Sequence, residues 1–158
     1  MNNNNNNLFT IKINFTDNSI FQSWKSEIYF FLEEEYKWEK IKNNSLASFK
    51  QILVKIVNKK ENKKEYLFLK NANFLVKENH IWINSLNEQE IYIDSNTLND
   101  LYKNEINLVK QEIEYLNSIN KISLNLENII KESNFKEKLY KLRLIEKLNL
   151  RKKDKDEK

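Results

Sequence analysis

The chain has no glycine, no proline and no cysteine, and only one histidine and one methionine in 158 residues. Each absence removes a class of chemistry. Without cysteine there are no disulfides, thiolate metal sites or thiol nucleophiles. Without glycine there is no phosphate-cradling loop and no glycine-based nucleotide fingerprint. A lone His80 lacks the second histidine or cysteine that a metal ligand or general base would recruit, so its expected role is structural or superficial. No apolar run approaches the roughly 18 residues needed to cross a bilayer. Met1 and Asn2–Asn7 lack the basic and apolar regions of a signal peptide. These features predict a soluble, intracellular protein with no cofactor, no metal and no catalytic set.

What is present is charge and bulky apolar side chains. Lysine and arginine number 27 against 23 acidic residues, a formal charge of +4, so charge alone argues weakly for a nucleic-acid partner. Lys59-Lys60, Lys63-Lys64 and Arg151-Lys152-Lys153 are interrupted by acids and read as solvated charge. Glu33-Glu34-Glu35 reads as a solvated loop rather than a metal cage. Nine Phe, seven Tyr and three Trp are enough to fill a small core.

Periodicity divides the chain. Asn2–Asn7 predicts a disordered tract. Leu8 to Phe15 alternates, with Phe9, Ile11, Ile13 and Phe15 on one face, and predicts a strand. Ile20-Phe21, Ile28–Leu32, Leu46–Phe49 and Ile52–Val57 are further short apolar runs, and Glu33–Asn44 predicts a loop or irregular strand holding Tyr36, Trp38 and Ile41. Tyr66–Leu69, Phe74–Val76 and Ile81–Ile83, separated by Asn-rich tetrads, predict a tight meander, with Asn taking the left-handed corners that glycine would otherwise fill.

From Asp94-Ser95, a candidate cap, the spacing changes to three and four. Leu98, Tyr102, Ile106, Val109, Ile113 and Leu116, widened by Leu101, Leu108 and Tyr115, predict an amphipathic helix. Asn117–Lys121 predicts a loop, and Leu124–Ile130 a helical start broken near Ser133-Asn134. Phe135, Leu139, Leu142, Ile145 and Leu148 form a second stripe. The fold class is therefore α+β: an N-terminal antiparallel β-sandwich or flattened barrel over 8–93, then an antiparallel two-helix hairpin over 94–150. A charged tail, 151–158, is expected to fray.

This order of elements resembles the ε subunit of F-type rotary ATPases. Glu65-Tyr66-Leu67-Phe68-Leu69, Phe74-Leu75-Val76-Lys77 and His80-Ile81-Trp82-Ile83 resemble that family's last sandwich strands, Leu8–Phe15 its first, and Ile52–Val57 the strand before the hairpin. Leu142-Arg143-Leu144-Ile145-Glu146 resembles a segment of its last helix. Two departures stand out. Glu33–Asn44 has none of the Gly, Pro and His of the family's ring-facing segment, which puts coupling to a membrane rotor ring in doubt. Ile93-Asp94-Ser95-Asn96-Thr97-Leu98 carries Thr97 where nucleotide-binding members carry Arg, so no nucleotide site is expected.

The resemblance implies a non-catalytic central-stalk subunit that binds a γ-like rotor shaft and catalytic α/β-like subunits, without direct membrane insertion or direct nucleic-acid contact. It implies partner-binding residues at Tyr36, Trp38 and Leu46 on the sandwich, and at Lys138, Lys141, Arg143 and Lys147 on the last helix. The competing reading is an OB-like module for single-stranded nucleic acid, with Tyr66, Phe68 and Trp82 as stacking platforms.

Overall fold

The computed structural model describes residues 8–97 and 102–157. The Asn2–Asn7 tract and the helical-stripe residues Leu98 and Leu101 lie outside them. Ten elements follow in order: β1 (Phe9–Asn14), β2 (Ile20–Leu32), β3 (Lys37–Lys40), β4 (Ser45–Asn58), β5 (Lys63–Lys77), β6 (His80–Asn84), β7 (Ile91–Asp94), α1 (Lys103–Ile122), α2 (Leu126–Lys147) and β8 (Leu150–Lys152). The chain divides into two compact units, one running to Ile93 and including Lys152 onward, the other spanning Asp94–Arg151.

The first unit is a closed ring of strands. β1 pairs with β2, β2 with β4, β4 with β5 and β5 with β6, all antiparallel. β6 returns to β1 in parallel, with Ile11 opposite Ile81. The parallel join follows from the count: in an up-and-down meander of five, the first and last strands run the same way. β3 extends the edge of β2, and β7 that of β5. Alternate residues fill the interior, among them Phe9, Ile11, Ile13, Leu67, Phe74 and Ile81. Phe30, Phe49 and Phe74 meet there with ring centroids 5.0 to 5.6 Å apart.

Several expected breaks are instead continuous strands. Ile20-Phe21 and Ile28–Leu32 both belong to β2, where the register against β1 shifts between Phe9 and Ile11 and Lys25 takes φ 51°. That is a bulge, not a turn. Leu46–Phe49 and Ile52–Val57 are both within β4. Lys70–Asn73, read as a hairpin corner, lies inside β5, and the β4 register is the same on either side of it. The inward side passes from Leu67 and Leu69 to Ala72, Phe74 and Val76 across Lys70 and Asn71, where Asn71 takes φ 43°, so the alternation changes phase while the strand continues. Ala72 is too small to announce it. The one corner of the expected meander that does turn is Glu78-Asn79, both left-handed.

The second unit is an antiparallel helix pair. Glu105 near the start of α1 pairs with Lys138 at 2.7 Å, and Asn120 near its end donates to Glu132 at 2.7 Å, near the start of α2. Ile106, Val109 and Leu142 are buried between the helices, with Phe135 and Leu139 packed against them. Asn117–Lys121 is the last part of α1 rather than a loop, and α2 passes Ser133-Asn134 unbroken. Those two residues are weak helix formers, but each costs only about 0.5 kcal/mol, which interhelical packing outweighs. Asn125 caps α2, its Oδ1 accepting from Glu127 N at 2.8 Å. The expected cap at Asp94-Ser95 is not one: Asp94 ends β7, and Ser95 Oγ donates to Thr97 O in a local turn. Ser95 N donates to Asn149 O at 2.8 Å, tying the two ends of this unit together.

The C-terminal tail also differs from expectation. Through residue 157 it is held against the barrel unit rather than frayed. Lys153 N donates to Ile91 O at 2.8 Å, Lys153 Nζ reaches Glu65 at 2.9 Å, and Lys152 pairs with Glu90 at 2.8 Å.

Candidate partner-binding surfaces

On β2 the inward Ile28 and Phe30 alternate with Glu27, Tyr29 and Phe31, which face outward. These three, with Trp38 of β3, Lys55 of β4 and Tyr66 of β5, build an aromatic ledge on the outer wall. The Trp38 ring lies 5.0 Å from Phe31 and 5.9 Å from Tyr66, and Phe31 is 5.3 Å from Tyr36. Lys55 Nζ sits 4.4 Å from the Trp38 centroid and 4.7 Å from that of Tyr29, within cation–π range of both. At the margin of the ledge, Glu27 accepts from Tyr29 Oη at 2.7 Å and pairs with Lys40 at 2.8 Å and Lys59 at 3.0 Å. Burial opposes ionisation of Glu27, but hydrogen bonds from Lys40, Tyr29 and Lys59 outweigh it and pull the carboxyl down to about 2. Burial, together with the bond to Glu27, pushes the Tyr29 hydroxyl up to about 12. Trp38 is half-buried, whereas Tyr36 is exposed at the β2–β3 turn.

A second surface crosses four strands. Register places Lys12, Trp82, Leu75 and Leu46 side by side on β1, β6, β5 and β4. All four occupy the outer face, where Leu46 is 78% exposed, Leu75 44% and Trp82 40%. His80 stacks on Trp82 with centroids 5.5 Å apart, and its Nδ1 lies 2.9 Å from Glu78 O. The next row is polar: Asn14 donates to Asn84 at 2.9 Å and Ser48 to Asn73 at 2.7 Å. The apolar row escaped sequence reading because its members come from different strands. The available signal was a Leu or Trp at a position whose neighbours on both sides point inward.

In the helical unit, the large aliphatics around the α1–α2 turn are bare: Ile122 is 88% exposed, Leu124 83% and Leu126 72%. Leu108 and Tyr115, expected to widen the packed stripe of α1, are each 62% exposed and precede Ile122 at seven-residue steps. The four cations expected to act together do not share a face. At about 100° per residue, Lys138 and Lys141 fall near one another and Arg143 and Lys147 on another side. Lys138 is already paired with Glu105.

The remaining candidates are occupied locally. Glu35 pairs with Lys37 in an exposed turn. Lys59 pairs with Glu27, and Lys63 with Glu65 at 3.2 Å. Tyr66 and Phe68 are buried, Phe68 edge-on to Tyr92 at 5.3 Å, so of the three proposed stacking residues only Trp82 is exposed. Among the described residues no group of three or more His, Asp or Glu side chains is placed to hold a metal ion.

Residues 10–90, nearly the whole closed ring, match the family described as the UU051 N-terminal domain. The chain belongs to the UU051 family. It is similar to the Ureaplasma parvum protein named Uncharacterized protein UU051, with 32% identity over 159 aligned positions. That alignment covers 95% of this chain and 91% of the relative, so the similarity reaches past the barrel into the UU051 counterpart of the helical unit.

Proposed function

We propose that the chain is a non-catalytic, ε-like central-stalk subunit of an F1 or F1-like rotary ATPase. The observation that carries this reading is the succession of a closed, mostly antiparallel barrel and an antiparallel helix pair, each leaving large apolar side chains uncovered. A stalk subunit needs such surfaces, because it must hold a shaft at one end and reach catalytic subunits with the other. The row Trp82, Leu75 and Leu46 supplies an apolar contact with a polar margin for a γ-like coiled coil. The ledge at Tyr36 and Trp38 adds an aromatic anchor of the kind that dominates binding energy.

The bare turn at Ile122, Leu124 and Leu126 is the end of the helical unit that meets catalytic α/β-like subunits, while Lys138, Lys141, Arg143 and Lys147, on two sides of the second half of α2, complement acidic segments farther along and modulate ATP hydrolysis. Among the described residues no helix is long and apolar enough to cross a membrane. The location that fits this role is cytoplasmic, peripheral to the membrane through the parent complex.

Native affinity purification of the tagged chain, read by mass spectrometry, tests the proposal. A γ-like coiled-coil protein and ATPase catalytic subunits should appear in fixed ratio and be lost from the Leu46→Asp/Leu75→Asp double variant. Recovery without any ATPase subunit contradicts it.

A further inference from the structure

The ring closes, but β2 and β4 pair over only part of their length, and the gap beside that pairing leaves a strand edge. β2 pairs with β4 only from Ser26 opposite Asn58 to Phe30 opposite Val54, then turns away into β3. From Ser45 to Leu53, therefore, β4 has β5 on one side and no strand on the other among the described residues. Antiparallel pairing also tells which backbone groups face that gap. Lys70 N donates to Ser85 Oγ at 3.0 Å, and Lys70 O accepts from Leu86 N at 2.8 Å, so the Lys70 backbone is turned away from β4. Its register partner Gln51 must then point away from β5. Beyond it the inward side passes from Leu69 to Ala72 on β5 and from Ile52 to Phe49 on β4, so past this irregularity the outward-facing Ser48 and Leu46 are the residues whose backbone points away from β5. Their N–H and C=O groups line the free edge. Such an edge is a template for another strand.

Beside it lies a groove of about 350 Å³ whose lining includes Phe30, Leu32, Ile41, Leu46 and Ala47. An added strand sends alternate side chains to one face, so the groove takes one set of its residues and solvent the other. The rim selects charge. Lys42 and Lys50 are exposed and form no ion pair among the described residues, while Glu39 across the groove has Lys37 within 4.0 Å. Two copies of this chain meeting edge to edge would bring these lysines together, which disfavours self-pairing.

We propose that the free edge of β4, residues Ser45 to Gln51, receives an extended segment of a partner protein as an added strand, apolar at alternate positions and acidic between them. This goes beyond the stalk reading and stands without it.

The test uses the full chain and a synthetic nonapeptide alternating valine or isoleucine with glutamate, beside a version with lysine in place of glutamate. In the free chain the amides of Leu46, Ser48 and Gln51 should exchange rapidly with deuterium. The glutamate peptide should slow them at least about tenfold, as strand addition protects main-chain donors. The lysine peptide should not. The K42E/K50E variant should keep its thermal midpoint and bind the glutamate peptide at least about tenfold more weakly. The proposal is overturned if the three amides are already protected in the free chain, if both peptides bind alike, or if protection falls elsewhere. Protection that grows with protein concentration alone would identify a second copy as the occupant and equally defeat it.

Discussion

A chain without glycine must turn its corners on other residues, and here asparagine does most of that work. Nine described residues have positive φ, and six are Asn: Asn18, Asn44, Asn62, Asn71, Asn79 and Asn149. The short amide tolerates the left-handed region that a larger side chain resists. Lys25, Tyr36 and Glu78 occupy it without that advantage. Lys25→Gly should therefore stabilise the protein by about 1 kcal/mol, relieving left-handed strain at an exposed bulge. Denaturant unfolding that finds no gain would show the position to be unstrained.

Glu27 carries the opposite signature, a native interaction that stabilises its charged form. Its carboxyl is held at about 2 against 4.5 for the unperturbed group, so its contribution is complete above about pH 4.5 and disappears as pH falls toward 2. Glu27→Gln should lower stability at neutral pH by about 2 kcal/mol and flatten the acid limb of the stability curve over that window. An acid limb unchanged from the parent would mean that the Lys40, Lys59 and Tyr29 contacts do not form in solution.

Elements were legible where alternation is strong and illegible where one small residue carries it. β1 can be read directly because Phe9, Ile11 and Ile13 are all large. β5 cannot, because its inward side changes parity between Leu69 and Ala72, and the small Ala72 between two asparagines hides that the strand continues. Helix ends were misread for a related reason. Asn117, Asn120, Ser133 and Asn134 carry turn-like propensities, but tertiary contact, including the Asn120–Glu132 bond, holds them in helix. The true stop lies at Ser123–Asn125, where Asn125 caps α2. Asn125→Ala should cost about 1 kcal/mol, visible as a lower midpoint in the helical circular-dichroism signal. An unchanged midpoint would mean that the cap is not formed.

Of the candidate site, the aromatics at Tyr36 and Trp38 were visible as misfits in a charged stretch. The row through Trp82, Leu75 and Leu46 required the register of three strand pairs. No single segment contains it.

At the scale of the molecule, the change from period two to period three-and-four near residue 94 was enough to place the division between a strand-built unit and a helical one. Composition gave no hint that residues 152–157 return to the barrel unit, since the pairing of Lys153 with Glu65 spans 88 positions and leaves no local trace. Neither unit covers its large exposed apolar residues from within, which is the physical reason for placing the protein in an assembly. The most direct measurement is cross-linking mass spectrometry on the natively purified assembly. The stalk account predicts cross-links from Lys12 and Lys77, which flank the Trp82 row, to an elongated coiled-coil subunit, and from Lys121 beside the bare helical turn to an ATPase catalytic subunit. Cross-links from both regions only to proteins outside any ATPase would contradict it.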